Sequence, residues 1–105
     1  MNSDRLNQLI NFYKEDPNDP FIIYGIAMEY FNFDLLKARE YFEILLNNFP
    51  DYLATYYQAG HLYEDLELED DAKMCYEKGI EVARKQNNIN TLRELQNALN
   101  ELEFN

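Results

Sequence analysis

Residues that could do chemistry are sparse in this 105-residue chain, and each lacks the partners it would need. His61 is the single histidine. An imidazole can act as a base or a metal ligand, but a metal site asks for a second histidine or a cysteine at helical spacing. Cys75, the single cysteine, lies on another predicted helix with no matching motif. As a nucleophile it would need a paired base and an electropositive setting; Lys73 and Lys78 are near in sequence, and Glu77 offsets them. A half-buried structural thiol is expected at Cys75, and a surface role at His61.

Glu64, Asp65, Glu67, Glu69, Asp70 and Asp71 set six carboxylates within eight residues, a density that could draw a cation or a basic partner. The run lacks the glycine and alternating ligands of a calcium loop. It reads as a solvated turn whose later members favour the N-terminus of the next helix. The chain shows no glycine-rich phosphate loop, nucleophile-base pair or ligand cluster. It is therefore expected to be non-enzymatic, with no cofactor and no metal.

What remains is recognition. Phe21, Tyr24, Met28 and Phe31 are spaced i, i+3, i+7, i+10, one stripe of a helix; Ala54, Tyr57, His61 and Glu64 repeat that spacing 33 residues later. Either this stripe stays open, or an N-terminal helix folds over Phe21 and Tyr24 and leaves Met28 and Phe31 as the exposed pair.

The elements that would position these stripes are themselves repeated. Ile23, Ile26, Ala27 and Tyr30 recur 33 residues later as Tyr56, Ala59, Gly60 and Tyr63, and Pro17 recurs as Pro50 at the same offset. Ala38, Phe42, Leu45 and Leu46 return as Ala72, Tyr76, Gly79 and Ile80 at an offset of 34, so the second unit carries one extra turn residue. The spacings i, i+3, i+4, i+7 and then i, i+4, i+7, i+8 are those of amphipathic helices. Each unit is a helical hairpin, with helices expected over about Asp19 to Phe31, Asp34 to Asn48, Asp51 to Asp65 and Glu69 to Lys85. The short side chains of Ala27, Gly60, Ala38 and Ala72 mark where helix backbones approach closely.

Two outer helices complete an all-α chain of about six. Ser3 or Asp4 can cap the first, whose Leu6, Leu9, Ile10 and Tyr13 face inward before Asp16-Pro17 stops it. The last begins near Asn90, where Thr91 and Glu94 have the spacing of a capping box, and Leu92, Leu95, Ala98, Leu99 and Leu102 form its apolar stripe. A repeat array exposes an apolar face at each end, and terminal helices must cover both. The chain is accordingly expected to be one domain: an N-terminal cap over 3–16, repeats over 17–49 and 50–86, and a C-terminal cap over 89–104.

From Pro17 to about Ala83 this pattern resembles the tetratricopeptide repeat family, whose unit of roughly 34 residues is a helix, a turn and a helix. The matching residues are Ala27 and Gly60, Tyr30 and Tyr63, Ala38 and Ala72, Phe42 and Tyr76, and the closing Pro50. The chain departs from the family in carrying Ile23 and Tyr56 for the usual tryptophan. It also has no glycine in the mid-unit turns Asn32-Phe33-Asp34 and Glu67-Leu68-Glu69, and Arg84 stands where a closing proline is usual. The resemblance implies an α-solenoid with a concave groove that receives a peptide or protein segment. On that basis the expected partner-binding residues are Phe21, Tyr24, Met28, Phe31, Tyr57, Gln58, His61 and Glu64. Some family members grip acidic tails with groove lysine, arginine and asparagine; the matching places here hold Tyr24, Met28, Ala54 and Gln58, none of them cationic.

Composition supports the same direction. A formal charge of -11 and a pI near 4.3 set the chain against nucleic acid and anionic membrane surfaces. An apolar or basic-apolar partner segment is expected. No stretch approaches the roughly 18 apolar residues a membrane span needs, and the start lacks a signal-peptide pattern; a cytoplasmic location is the expectation. A competing reading makes the aromatic stripe a self-association surface and the protein a homodimeric scaffold.

Overall fold

Aspartate caps start the two helices of the first hairpin, and proline precedes or opens the turns around them. The structure is a computed structural model that describes residues 3–104. The described residues form six α-helices: α1 (Ser3–Glu15), α2 (Pro20–Phe31), α3 (Leu35–Asn48), α4 (Ala54–Asp65), α5 (Glu69–Lys85) and α6 (Ile89–Phe104). No strand occurs among the described residues, and the helical-hairpin repeat inferred from periodicity is the fold observed. No described helix is long and apolar enough to cross a membrane.

Contacts divide the chain after Tyr52 into two compact units. The first holds α1, α2 and α3. Asp4 lies in the first turn of α1, inside the helix, and the expected cap by Ser3 falls outside the described side chains. Asp16 ends α1 with its amide on the Phe12 carbonyl at 2.8 Å. The Asp19 carboxylate then accepts from the Phe21 amide at 3.0 Å, capping α2, with Pro20 as its first residue. Asp34 repeats the device for α3, accepting from the Lys37 amide at 3.1 Å. Ile23, Ile26 and Ala27 of α2 and Ala38, Phe42 and Leu45 of α3 are fully buried between the two helices, and α1 adds Leu6.

The second unit holds α4, α5 and α6. Here α4 starts at Ala54, three residues later than expected, because Pro50-Asp51 forms a turn closed by the Tyr52 amide on the Phe49 carbonyl at 3.0 Å. Both its inner helices end in a left-handed residue. The Leu68 amide reaches the Tyr63 carbonyl at 2.8 Å across Glu67, whose φ is 60°. The Asn88 amide reaches the Ala83 carbonyl at 2.9 Å across Asn87, whose φ is 57°. Each is a Schellman termination. The residue responsible for the 34-residue offset is thus accommodated by Glu67, in the turn where a glycine is missing. The Asn88 side chain caps α6 by accepting from the Thr91 amide at 3.1 Å. Thr91 is therefore the third helical residue and not a cap, which overturns the expected Thr91–Glu94 capping box.

The core of this unit is built by exchange of large and small residues. A Cβ placed on Gly60 of α4 would lie 2.1 Å from the Tyr76 ring of α5. One placed on Gly79 of α5 would lie 2.5 Å from Cβ of Tyr56 and 2.9 Å from Leu95 of α6. Leu95 is fully buried and Ala98 nearly so, which seats α6 on this unit.

Candidate functional site

In the first unit the stripe on α2 is partly open, and its most exposed member is Phe21 and not Met28 or Phe31. Phe21 is 70% exposed, whereas Tyr24, Met28 and Phe31 are half-buried. Phe31 sits edge-on to the buried Phe42 ring at 6.1 Å, and Tyr24 does the same at 6.4 Å. Phe42 is thus a common support for two members of the stripe. Phe21 lies in the first turn of α2, close after the turn that follows α1. The N-terminal helix does not bury it.

Sequence reasoning missed several neighbours of this stripe. Tyr52, in the turn after α3, packs against Tyr24 at 5.9 Å. Burial pushes the Tyr52 hydroxyl pKa up, and the nearby Asp19 carboxylate adds to the effect. On the other side, α1 contributes Arg5 and Leu9 to a cleft with Phe21, Tyr24, Gly25, Met28, Glu29 and Asn32, of about 260 Å³. Arg5 Nε pairs with Glu29 Oε1 at 3.0 Å across its rim. Gly25 floors it: a Cβ there would lie 3.3 Å from the Leu9 methyls.

In the second unit the equivalent stripe is more polar. Tyr57 and Gln58 are half-buried, and His61 stands edge-on to Tyr57 at 4.5 Å and to Tyr76 at 5.9 Å. His61 Nδ1 lies 3.6 Å from Glu64 Oε2, the oxygen that accepts the Tyr76 hydroxyl hydrogen bond. Burial pushes the Tyr76 pKa far up, and the hydrogen bond and negative charge of Glu64 push it further. Glu64, expected as a partner-binding carboxylate, is already engaged internally.

Among the other singled-out groups, Cys75 is buried, more so than the half-buried thiol expected. Glu69, Asp70 and Asp71 occupy the first turn of α5, where the helix dipole favours them. Among the described residues no cluster of three or more histidine, cysteine or acidic side chains is placed to hold a metal ion. A wider depression of about 820 Å³ runs between α5 and α6, lined by Met74, Lys78, Glu81, Arg84, Gln96 and Asn100, among others. Lys78 and Glu81 neutralise each other on its wall at 3.5 Å.

No protein-family model matches the sequence, and no curated protein matches it. Solved structures do. A crystal structure of a tetratricopeptide repeat domain protein from Salinibacter ruber is 42% identical, with a TM-score of 0.79 over 82% of this chain and 98% of that one. A solution NMR structure of a tetratricopeptide repeat domain protein from the same organism is 45% identical, with a TM-score of 0.79 over 84% of this chain and 90% of that one.

Proposed function

The chain belongs to the tetratricopeptide repeat family, whose members are protein-interaction modules, and from that premise we propose that it holds an apolar or basic-apolar segment of another protein on the α2 stripe of its first unit. The observation that carries the reading is Phe21. A phenylalanine left 70% exposed, beside half-buried Tyr24 and Met28 and on the wall of a ready-formed cleft, offers an anchor to a partner. The net charge of -11 selects for lysine or arginine on the partner and discourages acidic ones. It also opposes association of two copies through the same face, which is why a partner segment is preferred to a homodimer.

Selection from a random peptide library tests this. The enriched peptides should combine basic and large apolar residues, and their affinity should fall with salt. Phe21→Ser should weaken them while leaving the melting temperature near that of the parent, because the ring contributes little to the core. Enrichment of acidic peptides, or no loss with Phe21→Ser, would refute the reading. Sedimentation over a concentration series would expose a dimer.

A further inference from the structure

The cleft between α1 and α2 has a lining that specifies more than an apolar anchor. At about 260 Å³ it is smaller than the roughly 300–1,000 Å³ of small-molecule sites, and so is sized for one side chain. Its walls are two aromatic rings, Phe21 and Tyr24, with the thioether of Met28 and the methyls of Leu9. At its rim lies the Glu29 carboxylate, whose side chain is only 16% exposed. An aliphatic stem between apolar walls, a ring face and a half-buried carboxylate form the set that receives a long cationic side chain. The molecule supplies such a cation itself: Arg5 reaches across from α1 to Glu29 at 3.0 Å while its own side chain stays 61% exposed.

We infer that this cleft receives an arginine side chain of the partner, and that Arg5 marks the position of the incoming guanidinium and competes with it for Glu29. This rests on the stripe-binding reading above and adds the identity of the residue bound at the α1–α2 end. Arginine fits better than lysine, since a planar guanidinium can stack on a ring and bond a carboxylate in the same pose. The net charge of -11 supplies the long-range attraction. An acidic side chain would meet Glu29, and a purely apolar one would leave Arg5 in place.

Three fluorescein-labelled twelve-residue peptides test it, identical in a leucine and glutamine background and differing only in a central arginine, citrulline or leucine. Binding is read by anisotropy on the full chain, and its location by amide shifts of Leu9 and Gly25. The arginine peptide should bind about fivefold or more tighter than its citrulline twin, the ratio expected for about 1 kcal/mol of cation contact. Arg5→Ala should raise affinity for the arginine peptide and leave the citrulline peptide unchanged. Glu29→Gln should erase the preference; if that variant misfolds, Arg5→Ala and the Leu9 and Gly25 shifts still decide. Equal binding of the twins, tighter binding of the leucine peptide, or weaker arginine binding in Arg5→Ala overturns the inference. If the peptides shift the Phe31 amide without those of Leu9 and Gly25, the cleft assignment fails and the stripe reading stands. If none of the three binds, both fail.

Discussion

The two hairpins place different residues at equivalent positions and still fill them. In α2–α3 the close approach is made by Ile23, Ala27, Phe42 and Leu45; in α4–α5 the same places hold Tyr56, Gly60, Tyr76 and Gly79. The ring that Tyr56 adds in place of Ile23 is matched by Gly79 in place of Leu45, and the Tyr76 ring, in place of Phe42, lies over Gly60 in place of Ala27, so complementarity is kept while the individual sizes change. The polar chemistry changes with it. Phe31 rests edge-on against Phe42, and at the equivalent pair Glu64 accepts a hydrogen bond from Tyr76. A buried hydroxyl needs an acceptor that a phenyl ring does not, so the change from Phe42 to Tyr76 goes with the change from Phe31 to Glu64. That exchange explains why the first stripe is apolar, while the second is partly consumed in supporting its own core.

The terminal helices show the same asymmetry and give the largest expected effect. Leu95 of α6 is fully buried over Gly79, whereas α1 buries Leu6 alone. Leu95→Ala should cost about 3 to 5 kcal/mol in urea unfolding, and Leu6→Ala about 2. A reversed order would show that α6, not α1, is the loosely attached cap. Gly60→Ala should follow at about 2 kcal/mol, because the new methyl meets the Tyr76 ring with no room to settle. Should Gly60→Ala melt like the parent, the ring-over-glycine packing is not how the second hairpin closes.

The Tyr76–Glu64 pair tests the polar half of the comparison. Glu64→Leu should lose about 1 to 3 kcal/mol by orphaning a buried hydroxyl. Adding Tyr76→Phe to it should recover most of that, because the pair then resembles Phe31–Phe42. Full additivity of the two losses would mean that the residues are not coupled. There is a pH signature as well. The fold raises the Tyr76 pKa above its ordinary 10.0, so the neutral phenol is favoured in the folded state. Its contribution is whole below pH 10 and is lost as pH climbs beyond that toward the higher folded-state value. Alkaline melting curves should therefore fall less steeply with pH in Tyr76→Phe, leaving the smaller effects of Tyr41 and Tyr52, whose pKa values are also raised by burial.

Periodicity made the hairpins legible, because burying one face of a helix imposes a spacing that any apolar residue satisfies. The aspartate caps at Asp19 and Asp34 were legible only as helix starts. The α6 cap was misplaced because Asn88 and Thr91 are both good cap residues three apart, and only the backbone chooses between them. The α1–α2 cleft could not be read, since it depends on how α1 rotates over Gly25, which no local pattern encodes. Phe21 and Phe31 carried equal apolar signals; Phe31 is drawn in by the buried Phe42 ring 6.1 Å away, a contact between two helices. Glu64 looked like one member of an acidic run, and its bond to Tyr76 joins two helices.

The smallest expected effect lies in the turn that separates the two repeats in register. The second unit spends its extra residue on a Schellman termination with Glu67 at a φ of 60°, while the described residues of the first unit show no left-handed residue in the Asn32-Phe33-Asp34 turn. A side chain with a Cβ in this conformation costs roughly 1 to 2 kcal/mol, and glycine avoids that at an entropic cost of about 0.5 to 1 in the unfolded chain. Glu67→Gly should accordingly stabilise by about 0.5 to 1 kcal/mol, and Glu67→Asn by somewhat less, since asparagine tolerates the left-handed region. The same change in the first unit, Phe33→Gly, should destabilise, because it gains no strain relief and loses the ring contact of Phe33 with Tyr30 at 5.6 Å. Thermal melts of the three variants measure both signs. If Glu67→Gly lowers the melting temperature, the Glu67 side chain must be contributing more than its strained backbone costs, and the acidic turn is then held by its side chains as well as by its hydrogen bonds.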